Sequence, residues 1–321
     1  MIKIGSSTIK TNIFLAPMSG CTDYSFRLIA REHGAKFCFF EMVEAKALLY
    51  QHPRTLYMLK TDKTDSPIAA QLLGSDPEML SDAAQKLLGL VDVTFLDINS
   101  ACPAKKVTSK GAGAYLLQEP KKLGRILLRL SSFLPVPVTV KIRIGYGKKS
   151  LPEALILAKT CQESGASAVF VHGRTRAQGY AGEVDYESIR EIKTALKIPV
   201  FGSGNVLNPQ LAKKMFDETG CDGILVARGA LGYPWIFKGI DAYLKNGKIL
   251  PEPTISAKKK VLKKHLKLLE THKGSKTMGR VGLMLKIAMW YLKGVPDAGK
   301  VRSAICATRS YKELVNLINN I

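Results

Sequence analysis

Cys102 sits where an apolar run gives way to a cationic loop, in the stretch FLDINSACPAKKVTSKGAGAYLL (95–117). A thiol of ordinary pKa, about 8.5, is mostly protonated at neutral pH, so a cysteine in such a place could serve as a proton donor beside an anionic partner. Lys105 and Lys106 follow it, and their charge suits a polyanion better than it suits activation of the thiol. The same residues would also make an ordinary turn, with Pro103 fixing the backbone. Which reading holds depends on the elements that surround Cys102.

Those elements are legible as eight short apolar, β-branched runs alternating with helical patterns: 13–18, 35–43, 67–74, 93–99, 137–145, 166–174, 198–204 and 222–229. Such alternation is the signal of repeated βα units and a parallel sheet. Between the runs, Asp76-Pro77 and Asn208-Pro209 pair an N-cap residue with proline at the first helical position, and Gly34, Gly165 and Gly220 stand where helices should end. Eight strands each followed by a helix predict a closed (β/α)8 TIM barrel, with an open doubly wound sheet as the alternative.

In a barrel of this kind the functional groups gather at the C-terminal ends of the strands. Read in strand order, those ends hold Pro17 and Met18, Glu41, Gln71, Asn99 with Cys102, Lys141 and Arg143, His172 with Arg174, the run Gly202–Asn205, and Ala227–Gly229. Polar or glycine residues at nearly every mouth, above apolar strand interiors, predict one convergent site. The last two mouths, FGSGN and ARGALG, occupy the position where barrels commonly hold a phosphate on backbone N–H groups. Either alone also suits a turn; together they point to a phosphate-bearing cofactor. Lys141 and His172 would then face a ring above the barrel, where positive groups would stabilise an anionic reduced flavin. A structural histidine, and a Lys141 paired with Glu41, are the simpler alternatives.

Over its 321 residues the chain is 46% hydrophobic and 23% charged, the balance of a folded protein with ample core. That length suggests about two domains. No apolar run reaches the length of a membrane span, and the start MIKIGSSTIKTN lacks the apolar region of a signal peptide. The six cysteines are scattered without zinc-like spacing, so reduced cytoplasmic thiols are expected, with no metal and no disulfide. A net charge of +22 attracts polyanions, and residues 241–321 alone carry 17 Lys and Arg against 5 Asp and Glu. A solvated lysine-rich surface is the bland account of that charge. The polar, proline-bearing stretch 246–256 reads as a linker between a barrel over 1–245 and a small helical domain over 257–321. In that domain Leu262, Leu266 and Leu269 recur at helical spacing and are expected to pack into a bundle, with Trp290 and Tyr291 in its core.

Taken together, LAPMSGCTDYSFR (15–27), EMV (41–43), QLLGSDP (71–77), DINSACPAKKV (97–107), VKIRIG (140–145), HGRTRAQGYAGEVDY (172–186), FGSGNV (201–206) and ARGALGYPWIF (227–237) resemble the tRNA-dihydrouridine synthase family, B-like and bacterial. The resemblance covers essentially the whole chain; the segment 284–302 is similar to the small helical domain that ends these proteins. It implies an FMN enzyme that uses NADPH to reduce the carbon 5–carbon 6 bond of a uridine in tRNA, with Cys102 as the proton donor. It implies flavin contacts from Ala16, Pro17, Met18, Gln71, Lys141 and His172, with Ser203, Gly204, Asn205, Ala227 and Arg228 around the phosphate. By the same resemblance Asn99 and Arg143 approach the uracil edge, Arg174 and Arg176 face the RNA side of the pocket, and Lys105 and Lys106 hold the RNA backbone. A cytoplasmic monomer is expected.

Two positions depart from the family pattern. Ala101 stands where glycine usually precedes the cysteine, and Leu285, Lys286 and Ile287 stand where Arg-Lys-His is frequent. The first could narrow the turn that carries Cys102, and the second removes two polar contacts to RNA. Three alternatives compete with the tRNA reading: a small-molecule pyrimidine oxidoreductase of the dihydroorotate dehydrogenase kind, the same chemistry on ribosomal RNA, and a non-catalytic RNA-binding barrel. The cationic carboxy-terminal region disfavours the first, because a free base needs no cationic surface while RNA affinity comes largely from phosphate contacts. Retention of Cys102, Lys141 and His172 disfavours the last.

Overall fold

A computed structural model describes residues 1–273, 278–292 and 298–320. Eight parallel strands close into a barrel: Ile13–Leu15, Cys38–Glu44, Ile68–Leu73, Leu96–Ser100, Val138–Arg143, Val169–His172, Val200–Ser203 and Gly223–Val226. Closure is made by the last strand pairing with the first, Ile224 opposite Ile13 and Val226 opposite Leu15, which rules out the open sheet. Each strand is shorter than the apolar run that announces it, because the carboxy-terminal ends of most runs leave the ladder and become mouth loops. An antiparallel hairpin, Ile2–Ile4 with Ser7–Ile9, precedes the barrel and was not part of the sequence expectation.

The helix starts follow from local chemistry. Asp76 and Asn208 accept from the N–H groups of Met79 and Leu211, each with proline at the next position, and Asp23 and Asp185 cap two further helices in the same way. Each cap satisfies an N–H that the first helical turn leaves without a partner. Gly220 closes its helix in the left-handed conformation.

An aromatic plug fills the barrel floor. Phe14, Phe37, Phe39, Phe95, Phe170 and Phe201 are all buried and in mutual contact, with Phe37 and Phe95 stacked at 5.3 Å and Phe14 and Phe37 at 4.3 Å. Hairpin residues Ile4 and Ile9 join the same cluster and cover the amino-terminal end. Burying rings of this size contributes roughly 1.5–3 kcal/mol each. The floor is therefore sealed, and only the carboxy-terminal mouth is open to a ligand.

After the helix Ile236–Asn246, residues 247–254 carry no regular structure and lead to the helices Ile255–Lys273, Met278–Tyr291, Ala298–Ala307 and Tyr311–Asn319. These four form their own core, with Leu262, Leu266, Leu269, Ile287 and Tyr291 buried and Trp290 and Leu285 packed against it. Ile287 and Leu285 thus serve packing at the positions of the second family departure. Residues 293–297, within the segment 284–302, lie outside the described residues. The helical region grips the barrel beside its first strand: Lys273 pairs with Asp23 at 2.7 Å, Lys286 donates to the Gly20 carbonyl at 3.0 Å, and Phe26 packs against His265 and Trp290.

Candidate active site

The barrel mouth opens into a cavity of about 380 Å³. Every expected cofactor residue lines it, namely Ala16, Pro17, Met18, Gln71, Lys141, His172, Ser203, Gly204, Asn205, Ala227 and Arg228. Cys102, Asn99 and Arg143 line it as well. Arg174, Arg176, Lys105 and Lys106 do not.

A chain of hydrogen bonds runs across three strands to the backbone of Cys102. Thr139 donates to Asp97 Oδ1 and Gln71 Nε2 donates to Asp97 Oδ2, both at 2.7 Å. Asn99 Nδ2 then donates to Gln71 Oε1 at 2.7 Å, and Asn99 Oδ1 accepts from the backbone N–H of Cys102 at 2.9 Å and of Ala101 at 3.1 Å. Asp97 is fully buried, and burial pushes its carboxyl up to about 7 against the opposing pull of Gln71, Thr139 and Lys141. This network orients both amides without ambiguity. Sequence reasoning did not single out Asp97 or Thr139; the signal available was one carboxylate between the apolar Leu96 and Ile98 of a strand run.

The loop that carries Cys102 is held from its other side too. Ala114 donates its N–H to the Cys102 carbonyl at 3.0 Å, and Gly113, at φ +60°, approaches so closely that a Cβ there would lie 2.9 Å from that oxygen. Ala101 itself has no positive φ, so its Cβ is carried without backbone strain and the glycine of the family pattern is not required here.

Arg143 is buried and its donors are largely spent on backbone. Nε reaches the Ala101 carbonyl at 2.7 Å, and Nη1 reaches Thr175 and Gly179 carbonyls at 3.0 and 2.8 Å. It braces the Cys102 loop against the loop after the sixth strand. Arg174 is buried as well and holds the Gly182 carbonyl through Nε and Nη2, at 3.1 and 2.6 Å. Arg176 is partly exposed above the Tyr146 ring, and Lys105 and Lys106 are exposed at the start of the short helix Lys105–Thr108.

Lys141 and His172 differ electrostatically. Burial, helped by the Arg143 guanidinium, lowers the Lys141 amine to about 8, with Asp97 and Cys102 pulling the other way. Burial first, then the charges of Lys141, Arg143, Arg174 and Arg228, hold His172 well below the usual imidazole range. His172 is therefore neutral at neutral pH, and Lys141 alone of this pair supplies positive charge, which corrects the expectation of two cations. His172 Nε2 is buried without a hydrogen-bond partner, a donor or acceptor left for a ligand. Glu41 is not the partner of Lys141; its carboxylate accepts the N–H of Gly20.

The loops after the seventh and eighth strands are built for close approach. Gly204 has φ +133° and would place a Cβ 2.9 Å from Val184, and a Cβ on Gly229 would lie 2.2 Å from the Val206 carbonyl. Asn205 takes a left-handed φ of 49° and accepts from Arg228 Nη2 at 3.1 Å. Bare backbone with one arginine is the donor set that an anionic phosphate needs. A neutral imidazole, an ammonium and this cradle fit a flavin nucleotide. Among the described residues, no group of three or more His, Cys, Asp or Glu side chains is arranged to hold a metal ion.

The family model of dihydrouridine synthases (Dus) matches residues 14–320. The chain belongs to the dihydrouridine synthase family. Its relatives include tRNA-dihydrouridine synthase B of Pseudomonas aeruginosa, 39% identical over 94% of this chain and 90% of that one. A probable tRNA-dihydrouridine synthase of Rickettsia bellii is 35% identical over 95% and 93%, and tRNA-dihydrouridine synthase B of Pasteurella multocida 34% over 97% and 93%. Among solved structures, the old yellow enzyme homologue of Zymomonas mobilis superposes with a TM-score of 0.55 at 14% identity, over 80% of this chain and 94% of that one. Histamine dehydrogenase of Rhizobium sp. 4-9 gives 0.60 at 11%, over 83% of this dihydrouridine synthase homologue and half of that longer chain. These two share the barrel fold.

Proposed function

We propose that the protein reduces the carbon 5–carbon 6 bond of uridines in tRNA, with FMN as its resident carrier, NADPH as reductant and Cys102 as proton donor. The observation that carries this reading is that Cys102 lines one cavity together with Lys141, His172 and the glycine loops, in a chain of the dihydrouridine synthase family. The names of its relatives favour tRNA over ribosomal RNA or a free pyrimidine.

When bound, a flavin held at this mouth would supply hydride-carrying chemistry between the nicotinamide and carbon 6 of the uracil. The residues of the chain do the rest. Ser203–Asn205 with Ala227 and Arg228 hold the phosphate, while Ala16, Pro17, Met18 and Gln71 bound the ring system. Lys141 Nζ offsets negative charge at the flavin, and His172 contributes a neutral hydrogen bond at Nε2. Cys102 Sγ holds the proton that carbon 5 must receive, and its placement is fixed by Asn99 through the Cys102 N–H. Arg143 keeps that loop and the one after the sixth strand in register, so its effect on the uracil is indirect. Membrane attachment forms no part of the reading; no described helix is long and apolar enough to cross a membrane.

The test is direct. Purified protein should be yellow, and on incubation with NADPH and unmodified tRNA it should form dihydrouridine detectable by nucleoside mass spectrometry. A protein that cannot be loaded with FMN, or that forms no dihydrouridine when loaded, contradicts the proposal.

A further inference from the structure

Outside the cavity, three loops meet in an aromatic and cationic cluster. Tyr115 lies on the turn Gly113–Gln118 that follows the Cys102 loop, Tyr146 follows the fifth strand, and Arg176 follows the sixth. The two rings meet edge to face at 6.2 Å, and the Arg176 guanidinium lies over the Tyr146 ring at 5.1 Å. The loops are tied by the Arg176 N–H to the Gly145 carbonyl at 2.8 Å and the Ala177 N–H to the Tyr146 carbonyl at 2.9 Å. All three side chains are partly exposed, although Arg176 Nε itself is buried and has no hydrogen-bond partner. Lys105, Lys106 and Lys148 stand exposed on the same loops.

We infer that Tyr115, Tyr146 and Arg176 form a base-stacking platform for the RNA strand that flanks the uridine in the cavity. The inference rests on the tRNA reading above and deepens it. The helical region is anchored at Gly20 and Asp23, beside the first barrel strand, whereas the cluster rises beside the fifth and sixth. In a ring of eight strands the first and fifth are opposite, so an RNA held by the helical region and passing over the mouth reaches the cluster on the far rim. A uridine drawn out of its stack leaves its neighbours short of stacking partners. Aromatic faces and guanidinium planes supply such partners whatever the base, and the adjacent lysines meet the phosphates.

Four variants test this: Tyr146→Leu, Tyr146→Phe and Tyr146→Trp at one site and Tyr115→Leu at a second. Leucine keeps apolar volume and loses the π face. Loss of one stacked base should weaken binding of unmodified tRNA transcript, measured by filter binding, by roughly 5- to 150-fold. The KM for tRNA should rise in step, with kcat at saturating tRNA within about twofold and reduction of the flavin by NADPH unchanged. Tyr146→Phe should bind as wild type, and the indole of Tyr146→Trp should be quenched on adding tRNA. Unchanged affinity in both leucine variants overturns the platform, as does a loss accompanied by slower flavin reduction, which would mean that the cluster only packs the loops. Wild-type protein that neither binds nor reduces tRNA overturns the functional reading and the platform with it; active wild type with both leucine variants equal to it overturns the platform alone.

Discussion

Asn99 Oδ1 accepts the backbone N–H of Cys102 at 2.9 Å, so the residue two places into the mouth loop is positioned by the amide at the end of its own strand. Asn99→Ala removes the acceptor for two backbone donors and the donor to Gln71. A net cost of about 1–3 kcal/mol is expected in urea unfolding, the size of a buried donor left without a partner. Transfer to uracil should slow because the thiol drifts, while NADPH oxidation by the bound flavin stays near normal. Equal slowing of the two half-reactions in stopped-flow measurements would place Asn99 on the flavin instead.

Cys102→Ala separates the same two steps more sharply. Flavin reduction should proceed at a near-normal rate, since the nicotinamide needs no thiol, whereas uracil reduction should fall by roughly 10²–10⁴-fold, the usual worth of a positioned acid. Serine should restore little, its hydroxyl being a much weaker acid. An unaffected second step would reduce the loop to a turn.

Lys141 gives the cofactor affinity a pH dependence. In the flavin-free protein its ammonium is lost as pH rises through about 8, below the ordinary value of 10.5. An anionic ligand that needs the ammonium should therefore bind with constant affinity well below pH 8 and up to tenfold more weakly per unit above it, in a fluorescence titration with FMN. Lys141→Met should flatten the profile. Stability runs the other way: between about 8 and 10.5 the unfolded chain holds more protons than the folded one, so the unliganded protein gains stability with rising pH in that window. A profile for wild type that is already flat would remove Lys141 from the flavin site.

Gly229→Ala probes the phosphate cradle. Its Cβ would meet the Val206 carbonyl at 2.2 Å, and because the obstacle is backbone, the loops after the seventh and eighth strands must part. FMN retention on gel filtration should be lost, and the melting temperature should fall. Gly147→Ala, whose Cβ would meet nothing within 4 Å, is the matched control and should keep its flavin. Full flavin content in Gly229→Ala would show that the cradle lies elsewhere.

Much of this protein is determined by its sequence alone, because the barrel is written in local chemistry. Apolar runs of strand length, caps such as Asp76-Pro77 and Asn208-Pro209, and glycines at helix ends each act within a few residues, so eight βα units and the side chains at their mouths can be read in order. Quantities that depend on residues distant in sequence were decided only in three dimensions. Closure rests on Ile224 meeting Ile13 across more than two hundred residues. Asp97 looks like an interruption of a strand until Thr139 and Gln71 are seen to converge on it. Arg143 and Arg174 read in sequence as cations facing substrate, and only the barrel shows that their guanidiniums also hold backbone carbonyls of loops distant in sequence, while Arg143 still lines the cavity and Arg174 Nη1 is left without a partner. The charge of His172 is likewise a tertiary property: burial first, then the charges of Lys141, Arg143, Arg174 and Arg228, keep it neutral, and of these only Arg174 is near it in sequence.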